Sequence, residues 1–118
     1  MLHTEQIALD WITAFNAHDL EKLLELYDDD AKHYSPKLKL RRPETNGLIT
    51  GKAALREWWQ DAFERLPGLH YKMVSLTAND KIVCMEYIRQ SPGEEDMAVA
   101  ELLEIEEERI VFSRVYHG

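Results

Sequence analysis

The segment from Asp10 to Pro36 constrains the fold of this chain more strongly than any other. It contains the end of one helical pattern, Asp19 as a helix cap, a second short helix, an acidic turn, and a strand over residues 31–36. Alternate residues of a strand point to the same side, so His33 and Ser35 would share one face. This order of elements predicts one wall of a closed pocket.

Length and charge limit the classes of protein to which the chain can belong. Its 118 residues suffice for one domain. The net charge of -8 disfavours nucleic acid and anionic membranes as partners, because both attract clustered Lys and Arg. Cys84 is the only cysteine, so no disulfide framework is expected. No secretory signal and no membrane-spanning pattern is visible, and we expect a soluble cytoplasmic protein.

Helical and alternating patterns divide the chain into two parts. Helices are predicted from Thr4, as the cap, to about His18, after Asp19, and from Gly51 to about Leu66, with an irregular basic segment over 37–50. Strands are predicted over 69–78, 81–90, 97–106 and 109–117. Helices followed by a meander predict an α+β fold, in which a single domain over 1–118 wraps a curved antiparallel sheet around its N-terminal helices.

Both faces of the predicted sheet carry mostly apolar side chains. An antiparallel sheet with one solvated face would alternate apolar and polar residues instead. Three helices can cover only one face of a strongly bent sheet. A second copy of the chain is the simplest cover for the other face, so we predict a homodimer through the convex face.

Two glutamates on the predicted strands are candidates for chemistry. If the turn over 91–96 is symmetric, Glu86 and Glu101 lie directly opposite each other among apolar neighbours. Burial and the like charge would raise the pKa of at least one of them, and a proton held near neutral pH is what general acid–base catalysis requires. We therefore take Glu101, Glu86 and His33 as candidate catalytic residues. The alternatives are a buried network with nearby polar side chains or a position at a wet pocket mouth.

Further residues are candidates for lining the pocket. Aromatic side chains at helical spacing either ring a ligand cavity or pack the core, and the basic segment either attracts an anionic ligand or is a solvated loop. The candidate ligand-binding residues are Trp11, Phe15, Tyr27, Ser35, Trp58, Trp59, Cys84, Val99, Ser113, Val115 and His117. A metal site built from the His and Glu side chains would lack a ligand-spacing motif, so neither a metal nor a cofactor is expected.

Three segments of the chain resemble one superfamily. The first, FNAHDLEKLLELYDDDAKHYSP, is similar to an opening of the form N-A-x-D-x(7)-F/Y-A-D-D-A. The others are GKAALREWW, at the start of the third helix, and EEERIVFSRVYHG, at the last hairpin. On these segments the chain resembles the nuclear-transport-factor-like superfamily, in particular its ketosteroid-isomerase and SnoaL-like branches. The resemblance implies a cone-shaped fold with a deep pocket, and dimers are common among such proteins.

Only some of the catalytic groups of the isomerases and cyclases have a counterpart at the matching position of this chain. Ser35 stands where the isomerases have their Asp base, and Trp11 stands where they have an oxyanion-hole Tyr. Glu101 keeps a carboxyl at the position of the second oxyanion-hole acid, whereas Val115 replaces the catalytic Asp of the cyclases. The resemblance therefore implies a retained pocket, with neither steroid isomerisation nor aldol cyclisation by those mechanisms.

Two main functions remain open from the sequence. In the first, the chain is a cofactor-independent isomerase, dehydratase or hydrolase for a small, mostly apolar molecule, with Glu101 as the acid, Glu86 tuning its pKa and His33 as the base. In the second, it is a non-catalytic ligand-binding domain or a dimeric scaffold. A third alternative is that the tryptophans fill the cavity and leave only a fold and a dimer surface.

Overall fold

The computed structural model describes residues 1–118 and confirms an α+β fold. Four α-helices and six strands follow one another along the chain, with a single 3-10 turn over Pro43–Thr45. The helices are α1 His3–Asn16, α2 Leu20–Glu25, α3 Pro36–Arg41 and α4 Lys52–Arg65. The strands are β1 Tyr27–Tyr34, β2 Leu48–Thr50, β3 His70–Ala78, β4 Ile82–Gln90, β5 Met97–Glu106 and β6 Arg109–His117. None of the helices is long and apolar enough to cross a membrane.

The first two helices form largely as their residue patterns predict. Apolar residues at helical spacing place Trp11 and Phe15 on the buried face of α1. Asp19 caps α2, since its side chain accepts a hydrogen bond from the backbone N–H of Lys22 at 3.2 Å. Thr4, however, is not the cap of α1. It lies inside the helix, and its hydroxyl donates to the backbone carbonyl of Asn79 at 2.6 Å, which ties α1 to the turn between β3 and β4.

The segment after α2 differs from the prediction at both ends of its strand. β1 begins at Tyr27, so the three aspartates that follow lie within the strand instead of forming a turn. It ends at Tyr34, because Ser35 caps α3 by accepting a hydrogen bond from the N–H of Lys37 at 3.2 Å. Pro36 then occupies the first helical position, which its fixed φ favours. The basic segment is therefore partly helical and not an irregular loop.

The six strands form one sheet in the order β2-β1-β6-β5-β4-β3. The curved sheet is antiparallel as predicted except at one pair, since β1 pairs with β6 in parallel and the sheet is therefore mixed. A parallel pair requires a long crossover connection, and the whole chain between β1 and β6 supplies it. α1 and α4 pack against one face of the sheet, here called the helix-covered face, and the other is the open face.

The register of β4 against β5 reverses the predicted faces of β4. Arg89 pairs with Met97, so Glu86 lies opposite Ala100 and Glu101 lies opposite Met85. The turn between the strands is thus not symmetric about its centre. A shift of one residue moves every side chain of a strand to the other face. The predicted pairing of Glu86 with Glu101 is therefore wrong, and the two carboxyls lie on opposite faces of the sheet.

On β5 and β6 the side chains that lie at the pocket are on the face predicted for them. Val99, Glu101, Ser113 and Val115 are buried on the helix-covered face. On β3 the register shifts around Val74, so this bulge changes the alternation along the strand. The open face carries Cys84, Glu86, Ile88, Ala100, Leu102 and Tyr116. Val74 is 61% exposed and Tyr116 is 47% exposed, so apolar surface is left uncovered in a single chain.

Candidate functional site

A cavity lies between the helices and the helix-covered face of the sheet. Its volume is about 60 Å³. That volume is far below the roughly 300–1,000 Å³ of pockets for drug-sized ligands, and it suffices for a few atoms or two or so waters. Its aromatic lining is Trp11, Phe15, Trp58, Trp59, Tyr71 and Tyr87. These rings narrow the cavity without filling it.

Glu101 is the buried acid of this cavity. Its side chain is 1% exposed, and the Tyr87 hydroxyl donates a hydrogen bond to its Oε1 at 2.7 Å. Its Oε2 is buried and has no hydrogen-bond partner in the chain. Desolvation raises the pKa of Glu101 to about 8, against the opposing effect of the Tyr87 hydrogen bond. At neutral pH the side chain is therefore mostly a neutral carboxylic acid with one oxygen free for a ligand.

A second set of polar side chains is connected by three hydrogen bonds, which begin at Trp11 and end at His33. Trp11 Nε1 donates to the Tyr27 hydroxyl at 3.0 Å, and this hydroxyl donates to Ser113 Oγ at 3.0 Å. Ser113 Oγ lies 2.6 Å from His33 Nδ1. An indole N–H can only donate, so the direction of the first bond is fixed, and the Tyr27 hydroxyl keeps its own proton for Ser113 Oγ. The roles at the last bond depend on the His33 tautomer, and the tautomer that also gives the Ser113 proton an acceptor has Nδ1 accepting and the ring proton on Nε2.

Burial keeps His33 neutral. Desolvation lowers the pKa of His33 to about 4, although a hydrogen bond to the backbone of Ser113 acts in the opposite direction. The hydroxyls of Tyr27 and Tyr87 also stay protonated, since burial and, next, the nearby Glu101 carboxyl raise the pKa of both well above the ordinary value. The site therefore contains neutral donors at neutral pH, and Nε2 is the His33 nitrogen left for a ligand.

Stacked rings support Glu101 and Tyr87 from the side of α1. Trp11 stacks on Phe15, with ring centroids 5.1 Å apart, and Phe15 stacks on Tyr71 at 4.0 Å. Tyr71 in turn stacks on Tyr87 at 4.1 Å. Stacked aromatic pairs add directional packing to the burial of apolar area. The Tyr87 hydroxyl is thus held in place before any ligand binds.

The mouth of the cavity carries basic side chains. Four cationic side chains line both this cavity and an adjoining outer cavity of about 190 Å³, namely Lys37, Arg41, Arg65 and Arg89. Arg89 is nearly buried and donates from Nη1 to Glu94 Oε1 at 3.0 Å. Burial and, next, the charge of Arg89 lower the pKa of Lys37, as expected for a cation close to another cation.

Most residues predicted for the pocket do line it. Those found in the lining are Trp11, Phe15, His33, Ser35, Trp58, Trp59, Val99, Glu101, Val115 and His117. Tyr27 and Ser113 lie outside the lining, and their hydroxyls connect Trp11 to His33. Ser35 contributes its hydroxyl to the cap of α3.

Two predicted site residues lie elsewhere. Glu86 is exposed on the open face, where it accepts a hydrogen bond from the Ser75 hydroxyl, so it does not tune Glu101. Cys84 is half-buried on the same face and does not line the cavity. Both errors follow from the register of β4. The grouping of His33, Glu86, Glu101 and His117 considered for a metal is therefore not assembled.

The main residues missed from the sequence come from β4 and from the end of α4. Tyr87 and Arg89 line the cavity because the true register turns them toward the helices. The alternation of Val83, Met85 and Tyr87 was a signal for this face, since these side chains are larger and more uniformly apolar than those between them. Arg65, one helical turn after the cavity-lining Ala62, could also have been recognised.

Comparisons with known proteins agree with this architecture. A SnoaL-like protein of unknown function from Burkholderia thailandensis E264 has a TM-score of 0.88 at 26% identity, covering 98% of this chain and 94% of that one. An NTF2-like protein from Anabaena variabilis ATCC 29413 has a TM-score of 0.81 at 20% identity, covering 98% and 90%. A protein with a ketosteroid isomerase-like fold from Catenulispora acidiphila DSM 44928, in complex with trimethylamine, has a TM-score of 0.79 at 18% identity, covering 96% and 85%. No curated protein matches.

The fold and the enclosed cavity define an α+β cone of the NTF2-like class. Within that class the family model described as SnoaL-like domain matches residues 8–113. The chain belongs to the SnoaL-like domain family, which confirms the resemblance drawn from its three sequence segments.

Proposed function

We propose that this chain binds a small molecule in the aromatic cavity and that Glu101 acts on it as a general acid. The observation that carries the proposal is the unpaired Oε2 of Glu101, a buried oxygen that faces no hydrogen-bond partner of the chain. Buried polar atoms are almost always paired, and an unpaired one inside a cavity suits a ligand group. A neutral carboxylic acid can donate from Oε2 to a ligand oxygen.

His33 fits the role of a second donor better than that of a base. Its Nδ1 lone pair is used by Ser113, and Nε2 carries the proton in the tautomer that the hydrogen-bond chain favours. A base would need a free lone pair facing the ligand. Two neutral donors in one desolvated cavity suit the stabilisation of negative charge that develops on a ligand oxygen.

This set of groups favours elimination of water over isomerisation. Glu101 would deliver its proton to a leaving hydroxyl as the carbon–oxygen bond breaks, and water would leave. In the same step the resulting carboxylate would take the proton from the neighbouring carbon, which forms the double bond and restores the acid, while His33 Nε2 donates to the oxygen on which negative charge develops. A pKa of about 8 suits a group that both gives and takes a proton near neutral pH. We therefore propose a cofactor-independent dehydratase for a small, mostly apolar molecule.

A non-catalytic binding protein is the second candidate. It is favoured by Ser35, whose hydroxyl caps α3 and offers no base where the isomerases of this fold have one. It is also favoured by the small volume of the cavity, since the aromatic side chains leave space for few ligand atoms.

Water loss from small β-hydroxy ketones and β-hydroxy acids, followed by proton NMR, tests the proposal. The wild-type protein should accelerate the loss for at least one compound, and Glu101→Gln should slow it by about 100-fold, within the range for general acids. Glu86→Gln is the matched control, because that carboxyl lies on the open face. Equal rates for Glu101→Gln and wild type would exclude the acid, and acceleration of no compound would favour the binding protein.

We also propose that the chain forms a homodimer through its open face. The support is the apolar surface that a single chain leaves uncovered, including Val74 and Tyr116. Contiguous apolar surface of this kind is typical of protein interfaces.

A further inference from the structure

We infer that the ligand is a small organic carboxylate, which the four basic side chains at the mouth hold by its anionic end. The inference rests on the proposed function in one respect, that the inner cavity at Glu101 receives the other end of the same molecule. The outer cavity of about 190 Å³ is lined by Lys37, Arg41, Arg65 and Arg89, with Glu94 as its one carboxylate. It adjoins the inner cavity, with which it shares these four cationic residues.

The charges at the mouth are not balanced within the chain. Arg65 Nε pairs with Asp61 Oδ2 at 2.7 Å, and Arg89 pairs with Glu94. Lys37 and Arg41 form no ion pair in residues 1–118. Two cations without partners therefore face one small cavity in a chain whose net charge is -8. Cations held close together repel one another, and a bound anion would relieve this repulsion.

Arg89 is positioned to bind the carboxylate of a ligand. Its side chain is 7% exposed, and its partner Glu94, on the turn between β4 and β5, is far more open to solvent. A buried guanidinium needs an anionic partner, and its planar donors match the geometry of a carboxylate. A ligand carboxylate could share Arg89 with Glu94 or replace Glu94 there, without leaving the buried charge unpaired.

The apolar residues that line the two cavities indicate the chemistry of the rest of the ligand. Leu40 and Leu66 line the outer cavity beside the cations, and Trp58 lines the inner one. A short apolar body between the carboxylate and an oxygen that reaches Glu101 would match these surroundings. The inner volume of about 60 Å³ limits the group at that end to a few atoms.

The three tryptophans of the chain all line the inner cavity, so intrinsic fluorescence reports binding without a label. The probes are butanoate and benzoate, each with its neutral amide, and tetramethylammonium as a cation. We expect saturable binding of at least one carboxylate, at least about tenfold tighter than its amide, weakening as salt is raised. Equal affinity for carboxylate and amide, tighter binding of tetramethylammonium, or no binding of either carboxylate would overturn the inference.

Two lysines of α3 provide a matched pair of variants. Lys37 lines both cavities, whereas Lys39, two residues further on and exposed, lines neither. Lys37→Gln should weaken carboxylate binding about five- to tenfold, and Lys39→Gln should leave it unchanged. Equal effects of the two changes would contradict a specific site. Glu101→Gln separates this inference from the proposed function, since it should slow the loss of water by about 100-fold while the preference for carboxylate over amide persists.

Discussion

Tyr87 donates its hydroxyl to one oxygen of Glu101 at 2.7 Å and leaves the other oxygen buried without a partner. The two residues lie on neighbouring strands, β4 and β5, and both face the helices. This arrangement holds the carboxyl in one orientation and leaves its second oxygen for the proposed ligand. The proposed acid chemistry requires that this carboxyl is neutral at physiological pH.

Glu101 makes the stability of the fold depend on pH. Its pKa is raised from 4.5 to about 8 on folding, so the unfolded chain loses this proton at lower pH than the folded chain does. Glu101 therefore contributes stability that is fully present below pH 4.5 and is lost as pH rises toward 8, by about 5 kcal/mol. Glu101→Gln removes this dependence. The variant should gain free energy of unfolding relative to wild type as pH rises, measured by urea denaturation between pH 5 and 8.

His33 has the opposite effect at lower pH. Burial lowers its pKa from 6.5 to about 4, so the unfolded chain binds this proton first as the pH falls. Its contribution to stability is fully present above pH 6.5 and is lost as pH falls toward 4, by about 3 kcal/mol. His33→Gln should make unfolding less sensitive to acid in this range. An identical slope for wild type and variant in urea denaturation would show that His33 titrates normally.

Tyr87→Phe tests the hydrogen bond that positions Glu101. The change removes a donor that favours the ionised carboxyl, so the pKa of Glu101 should rise further. Loss of a buried hydrogen bond should also lower the free energy of unfolding by about 1–2 kcal/mol. Tyr116→Phe is the control, since Tyr116 lies half-exposed on the open face. Equal effects of the two changes would mean that the Tyr87 hydroxyl is not coupled to Glu101.

A charge on the open face should disrupt the proposed dimer. Val74→Glu and Tyr116→Glu place carboxylates on apolar positions that are largely exposed in one chain. Burying an unpaired charge in an interface is strongly unfavourable, so the double variant should sediment as a monomer where the wild type sediments as a dimer. Lys39→Glu, on exposed α3, is the control for added charge. A wild-type monomer at micromolar concentration would contradict the dimer.

The sequence predicted the strands and the buried acid better than it predicted the site around them. The pattern over β5 placed Glu101 on the correct face, which it shares with the buried Val99 and Leu103. The pattern over β4 is apolar on both faces, so only the geometry of the turn at 91–96 decides its register. Because the predicted register was wrong by one residue, Glu86 was predicted to line the pocket, whereas Tyr87 lines it in the structure.

The sequence offered the basic segment as one attraction for an anionic ligand, but the complete basic mouth could not be predicted from it. Lys37 and Arg41 are near each other in the sequence, but Arg65 and Arg89 come from α4 and β4. Only the packing of these elements brings the four cations to one cavity. The helix over Pro36–Arg41 was also missed, since its six residues carry a weak periodic signal and its start depends on the cap at Ser35.

The most direct test of the neutral acid is the pKa of Glu101 itself, measured by titration of the carboxyl carbon in protein labelled with ¹³C at glutamate. The resonance is assigned by its loss in Glu101→Gln. We expect a midpoint near pH 8, with the carboxyl still mostly protonated at pH 7. A midpoint near 4.5, the ordinary value for a solvated glutamate, would contradict the neutral acid on which the proposed chemistry depends.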